Sequence, residues 1–367
     1  MDMAKQPYTP NLLPPKFSVV PLVPKIALAH SVVARYDESL ARLPNPRIVQ
    51  RAVGTKEAVL SSQIEGTQVT LDEVFLLDVN ETTDESTPKM MDYREVINYR
   101  RALSEGANLL EERPLTENVI KALHAILLDS VRGNNRAPGE FRKQQVYIGR
   151  PGATIENATF VPAPPQEISR LFSNLEKFLH GDTSFDEIVK AAIVHFQFEA
   201  IHPFLDGNGR IGRLLVPLMM YQNKLTKYPD IFVSEYLEEN RAEYYARLKA
   251  VSENGEWVEW VEFFLDAVIY QTRKTHERVG RIEALYSDLQ KQANAFNSIY
   301  AHAFIDAIFQ LPRFRMNTIK HMIPVKTPQS MYVLLEKFLK ADIAQDLTPH
   351  QSRNKVYGFK ALLDIIK

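Results

Sequence analysis

Apolar residues recur at helical spacing through most of the chain and at strand spacing in one place. Helical patterning starts after Pro44 and Pro46 and runs to about Glu65, where Gly66 is placed to cap the C-terminus. It returns at about 90–112, 116–131, 166–179, 186–200, 207–222, 238–252 and 256–272. In the 186–200 stretch Phe185, Ile188, Val189, Ala192, Ile193 and Phe196 keep helical spacing, which predicts one buried face. The strand-like stretch reads as a β-hairpin. Gln144–Ile148 goes out, Arg150–Thr154 turns, and Ala158–Val161 returns until Pro162, Pro164 and Pro165 stop the pairing.

The flanks read differently. Eight of the 22 prolines fall in the first 46 residues, and Pro7 to Pro24 predict an extended arm lying along the surface of a later domain. Asn80–Lys89 and Arg132–Gly139 are polar and read as a loop and a turn cluster. From about 276 a long polar helix to about 296 leads into small helices and a short final hairpin. Residues 285–367 carry 11 Lys+Arg against 6 Asp+Glu, although the whole chain has a net charge of −1. The pattern predicts a mainly α fold in three parts: 1–112, 113–275 and 276–367.

Composition narrows the function. The chain has 367 residues, 45% hydrophobic and 24% charged, the balance of a globular protein. It has no cysteine, which excludes disulfide scaffolds, thiolate metal sites and cysteine nucleophiles. No apolar run suggests a membrane span, and residues 1–15 do not read as a secretory signal, so a cytoplasmic enzyme or regulator is expected.

Residues 202–213 read HPFLDGNGRIGR and carry the chemistry. Gly207, Asn208 and Gly209 can bring backbone N–H groups up to an anion at the start of a helix. Arg210 and Arg213 are three apart, so they share a helix face and can grip further phosphate oxygens. Asp206 at the mouth would repel phosphates unless a Mg²⁺ ion bridged them. His202 can serve as general base near neutral pH. Together these predict phosphoryl or nucleotidyl transfer.

The segment resembles the signature of the Fic family, H-P-F-x-D/E-G-N-G-R-x-x-R, at every defined position. The stretches 195–201 (HFQFEAI) and 240–248 (NRAEYYARL) are similar to that family as well, so the resemblance covers about 90–272. It implies a Fic helical core with a β-hairpin flap that pairs with the backbone of a target protein. It also implies transfer of AMP from ATP to a Ser, Thr or Tyr hydroxyl, including the chain's own, with release of pyrophosphate. His202 would deprotonate the hydroxyl and Asp206 would hold Mg²⁺. Gly207, Asn208 and Gly209 would form the anion hole, and Arg210 and Arg213 would contact the outer phosphates. Ile211 and Gly212 complete the motif's nucleotide-binding run. Phe204 would anchor the loop, and Val161, Tyr245 and Ser252 would lie around the nucleotide. Intact Gly209 favours AMP transfer over phosphorylation and leaves UTP or GTP open as donors.

A second motif lies upstream. Ser61–Gly66 (SSQIEG) puts Glu65 at a helix C-terminus, the unfavourable end for an anion, so a cationic partner is expected. Many family members carry S/T-x-x-x-E-G/N, whose glutamate pairs with the second signature arginine. Ser61, Glu65 and Gly66 match, which implies inhibition within one chain through Arg213. Removal of AMP by the same site is a further implication. Residues 316–322 and 327–340, turning at Pro324–Pro328, with Gln351–Phe359 as a wing, are similar to a winged-helix domain. That module would serve DNA binding or homodimerisation, and a DNA-binding regulator using its core as a nucleotide sensor is the alternative to an adenylyltransferase.

Overall fold

The computed structural model describes residues 6–43, 45–79, 87–130, 136–149, 152, 154–181, 183–323 and 328–367. In chain order the first helices are α1 (Val23–Ala41), α2 (Pro46–Ile64), α3 (Leu71–Leu77), α4 (Pro88–Glu112) and α5 (Glu117–Leu127). Then come α6 (Ile168–His180), α7 (Glu187–Ile201), α8 (Asn208–Gln222), α9 (Ser234–Glu239), α10 (Arg241–Asn254) and α11 (Trp257–Gln292). The remainder is α12 (Ala301–Gln310), β1 (Arg313–Phe314), α13 (Met316–Ile319), α14 (Pro328–Lys340), β2 (Gln345–Asp346), β3 (Tyr357–Gly358) and α15 (Lys360–Ile366). By internal packing the chain divides into two compact units. One holds the residues up to Asp37 with Leu60–Thr67 and Arg94–Arg273; the other holds Glu38–Val59, Gln68–Tyr93 and Lys274–Lys367.

The first unit is built around α7. Its spacing predicts one buried face, but Ile188 to Phe198 are all buried. Apolar residues occupy most of its positions, so the helix is hydrophobic all round and other helices enclose it. Polar groups inside this core are paired. Trp260 donates its indole N–H to the Ala192 carbonyl at 2.9 Å. His195 lies 3.0 Å from the Gly212 carbonyl through Nδ1 and 2.9 Å from the Tyr244 hydroxyl through Nε2. A carbonyl only accepts, so Nδ1 carries the proton and Nε2 accepts from Tyr244. That one imidazole ties together α7, α8 and α10.

The N-terminal arm does lie along this unit. Leu13 gives its N–H to Asn174 Oδ1 at 2.7 Å and accepts from Asn174 Nδ2 at 3.1 Å. Phe17 stacks on Phe185 and Trp257. The arm is shorter than its prolines suggest, because Val23 already starts α1. Pro24 falls in the first turn, where its missing N–H has no helical acceptor to lose. The hairpin also contracts, to one antiparallel bridge between Ile148 and Phe160. Three residues of its expected turn, 150, 151 and 153, lie outside the described residues, as do 80–86 of the polar loop and 132–135 of the turn cluster.

In the second unit Thr70 and Glu73 form a reciprocal capping box that starts α3, a helix the periodicity does not suggest. β3 pairs antiparallel with both β1 and β2. The core of this unit joins Phe304 to Phe314 and Phe338. The expected strand within 351–359 is confined to Tyr357–Gly358, and α15 follows it. Residues 324–327 of the expected helix–helix turn lie outside the described residues. Two further boundaries differ. The 238–252 helix is two helices, broken at Asn240, and the 256–272 and 276–296 helices are one continuous α11.

Candidate functional site

The signature loop is held in place by partners far away in the chain. His202 ends α7 in the left-handed region with φ 50°, its N–H bonded to the Phe198 carbonyl at 2.9 Å. Asn208 clasps the loop: its Oδ1 accepts from Phe204 N–H and its Nδ2 donates to the Phe204 carbonyl, both at 2.9 Å. The Phe204 ring is buried and stacks on His124 at 3.7 Å between centroids. His124 Nδ1 accepts from Gly139 N–H, so its Nε2 proton goes to the Asp206 carbonyl, each at 2.9 Å. Burial pushes the His124 imidazole down to about 4, which keeps it neutral and fixes that tautomer.

Arg142 is the second loop clamp. Its guanidinium donates to the carbonyls of His202 at 2.8 Å, Gln144 at 3.0 Å, Ala163 at 2.5 Å and Ile201 at 3.3 Å. Its own N–H reaches the Pro203 carbonyl at 2.9 Å. Burial lowers its pKa to about 10, so it stays a cation. The His202 imidazole is lowered to about 4, first by burial and then by the Arg142 charge. Its Nδ1 is buried with no hydrogen-bond partner among the described residues. A neutral imidazole at pH 7 is ready to accept a proton.

Gly207 turns the chain into α8 with φ +75°, a conformation that favours glycine. One turn on, two buried arginines follow. Arg210 lies 3.2 Å from Glu95 Oε2 and 3.6 Å from Asp206 Oδ1. Glu95 also accepts from the Thr67 hydroxyl at 2.8 Å. Arg213, 1% exposed, donates to the Ser61 hydroxyl at 2.9 Å, the Ser61 carbonyl at 2.8 Å and Glu65 Oε1 at 2.7 Å. A Cβ at position 209 would strike Glu65 Oε1, so the carboxylate fills the space that Gly209 leaves. Burial opposes ionisation of Glu65, but Arg213 outweighs it and holds the carboxyl below its usual range.

His202, Gly209, Arg213 and Glu65 open onto one cavity of about 500 Å³. Of the residues singled out from the sequence, Glu65, His202, Gly209, Arg213, Tyr245 and Ser252 line it. Tyr244 turns inward and is buried, whereas Tyr245 is 44% exposed. Ser61, Gly66, Val161, Asp206, Gly207, Asn208, Arg210, Ile211 and Gly212 do not line the cavity, and Val161 and Ile211 are buried in the core. Gly66 ends the α2 turn with φ +100°. Glu199, one turn before His202, also lines the cavity; burial pushes its carboxyl up to about 8, and its Oε1 has no hydrogen-bond partner among the described residues. Arg142, His124, Glu95 and Glu199 adjoin the signature residues, and no motif in the sequence singles them out.

Among the described residues no cluster of three or more His, Cys, Asp or Glu side chains could hold a metal by itself. Asp206 offers one carboxylate, 42% exposed at the nest. This donor set fits Mg²⁺, which keeps several waters and is often held by one or two carboxylates plus substrate phosphates.

A loop anchored before a helix N-terminus, with an imidazole, an anion nest and two buried arginines, has its counterpart in a known family. Residues 114–220 match the Fic/DOC family and residues 23–108 match the Fic/DOC family N-terminal region, together more than half of the chain. The chain belongs to the Fic/DOC family. It is 31% identical over 166 residues to a protein adenylyltransferase Fic of Drosophila ananassae, covering 44% of this chain and 29% of that protein. It is also 31% identical over 172 residues to a probable protein adenylyltransferase of Aquifex aeolicus, covering 46% and 48%. The matched region thus spans less than half the length of these curated relatives. The fold is similar to a Fic family protein from Desulfovibrio desulfuricans (TM-score 0.59, 22% identity, 95% of this chain and 98% of that one). It is also similar to a Fic domain containing signaling protein from Bacteroides thetaiotaomicron (TM-score 0.54, 21% identity, 69% and 97%). Among the described residues no helix is long and apolar enough to cross a membrane.

Proposed function

We propose that this protein is an autoinhibited adenylyltransferase that moves AMP from ATP to a hydroxyl of a protein. The observation that carries this is the convergence of His202, Gly209 and Arg213 on one cavity. His202, neutral at pH 7, takes the proton from the incoming hydroxyl oxygen as that oxygen attacks the α-phosphorus. The bond to the bridging oxygen breaks, and pyrophosphate leaves with the electron pair. The α8 N-terminus and Arg210 steady the phosphates. Asp206 would hold Mg²⁺, which supplies neutralising charge for the phosphates. The relatives named as adenylyltransferases support AMP as the transferred group.

Glu65 occupies Arg213 at 2.7 Å, which supports a resting state in which the outer phosphate is displaced and the α-phosphate is out of line. Self-modification and transfer to a Ser, Thr or Tyr of another protein are part of the same reading. Helices α13 and α14 and the three short strands support a winged-helix module in the second unit.

The test is incorporation of label from α-labelled ATP into the chain and into host proteins. His202→Ala should lower incorporation by roughly 10²–10⁴ while ATP binding, measured by calorimetry, stays within about twofold. Retained incorporation in His202→Ala removes the imidazole from the mechanism.

A further inference from the structure

We propose that Glu95 of α4 is a positioning residue for the cation site: it supplies the counter-charge of Arg210, so that the Asp206 carboxylate stays open to a divalent cation. The inference rests on the nucleotide-binding reading above, with Asp206 as the cation's carboxylate.

Arg210 has two carboxylates beside it. Its Nη1 lies 3.2 Å from Glu95 Oε2, and its Nη2 lies 3.6 Å from Asp206 Oδ1. The nearer pair is also the drier one. The side chains of Arg210 and Glu95 are 4% and 7% exposed, whereas that of Asp206 is 42% exposed. Attraction between charges grows as water is removed from around them, so the guanidinium is held chiefly by Glu95. Asp206 stands close enough to take the guanidinium outright if Glu95 let it go.

Glu95 is itself held in place. The Thr67 hydroxyl donates to the same Oε2 at 2.8 Å, and Thr67 is buried. A donor to a carboxylate fixes its orientation and favours its charged form. Burial raises the Glu95 carboxyl, while Arg210 and the Thr67 hydroxyl pull it down. A buried guanidinium left without an anion is costly, which keeps the pair ionised.

Asp206 is oriented without spending its charge. Its carbonyl accepts from His124 Nε2 at 2.9 Å, and its Oδ1 accepts from the Gly207 N–H at 2.6 Å. Both donors are neutral, so they fix the carboxylate and leave it an anion. That holds only while Arg210 has its charge met elsewhere. Without the Glu95 carboxylate, the buried guanidinium turns to Asp206, and a divalent cation competes with a fixed one for a single carboxylate.

The test measures how much Mg²⁺ strengthens ATP binding. Calorimetry on the full chain carrying Glu65→Gly gives the ratio of ATP affinities with Mg²⁺ and with a chelator. Glu95→Gln keeps an acceptor for Thr67 but removes the charge, and should lower that ratio about tenfold. Glu95→Asp, which keeps the charge, should stay within about threefold of the parent. Adding Arg210→Gln to Glu95→Gln removes both members of the pair and should restore the ratio, even where ATP binding itself is weaker. A residue that only supports the fold would lower thermal stability in Glu95→Gln without moving the ratio. A ratio unchanged by Glu95→Gln, an equal loss in Glu95→Asp, or a loss that persists in the double variant overturns the inference. Where Glu95→Gln alone does not fold, the double variant decides: a retained ratio supports the inference and a lost one overturns it. Failure of the parent to bind ATP, with or without Mg²⁺, overturns the nucleotide-binding reading itself, and the inference with it.

Discussion

The carboxylate of Glu65 lies 2.7 Å from Arg213 Nη2, in space that any side chain at Gly209 would take. This anion faces the cavity, and on the proposed reading it stands where a phosphate would be received.

Glu65→Gly should therefore raise incorporation of labelled AMP at least about tenfold, since each 1.4 kcal/mol of bias is about tenfold in population. Combining it with Arg213→Ala should cancel the gain, because the arginine is then missing from the productive pose. Equal labelling of wild type and Glu65→Gly, at matched protein and Mg²⁺, would make this helix end ordinary structure.

Asp206→Ala should weaken the Mg²⁺ dependence of ATP binding by about tenfold or more, as the ion would lose its protein carboxylate. Arg210 keeps Glu95 at 3.2 Å, so the helix should stay folded. A metal titration by calorimetry in the presence of ATP reads this directly. An unchanged titration places the ion on other ligands.

Arg142→Gln should destabilise the chain by about 3 kcal/mol, because buried carbonyls lose their donor at a cost of about 1–3 kcal/mol each. Tm should fall by about 5–10 °C. Activity in the Glu65→Gly background should also fall by about tenfold or more, since His202 loses the clamp on its own carbonyl. A variant with wild-type Tm would show that water replaces the guanidinium.

Glu199 titrates with the opposite sign to an ordinary paired acid. Burial raises its carboxyl to about 8, so the folded chain holds a proton that the unfolded chain releases. Its contribution is fully present below the unfolded value, near 4.3, and is lost as pH rises through about 8. Asp230, also raised to about 8 by burial, acts in the same direction. Glu199→Gln should match wild type at pH 5 and exceed it by about 1–3 kcal/mol at pH 8. Chemical denaturation at the two pH values measures this, and parallel losses in both proteins would mean that Glu199 ionises freely.

What the sequence revealed and what it concealed follow from where each partner lies. His202, Asp206, Gly209, Arg210 and Arg213 are contiguous, so their chemistry is readable as a string. Glu65 is 148 residues from Arg213, yet its unfavourable place at a helix end called for a cation. Arg142 and His124 hold the loop through backbone carbonyls and a backbone N–H, and a main-chain partner leaves no mark on residue type. α1 was hidden by Pro24, since a proline in a first turn looks like one in a coil. α11 looked like two helices because its pattern changes from apolar to polar along its length, a change in what surrounds a helix and not in its backbone. The hairpin is present among the described residues as one antiparallel bridge, because alternation over a few residues predicts strand pairing but not how far it runs.

Ser61 grips Arg213 through both its hydroxyl and its carbonyl, and neither bond involves Glu65. In the proposed autoinhibited state, inhibitor and scaffold are therefore the same piece of chain. Cutting away the α2 segment is not equivalent to replacing its glutamate, since truncation also strips the arginine of its holder and leaves a buried cation adrift. On that proposal, activation would ask for less than the displacement of a domain. It would need only one carboxylate drawn aside by a cation or a donor, while the helix end stays where it is.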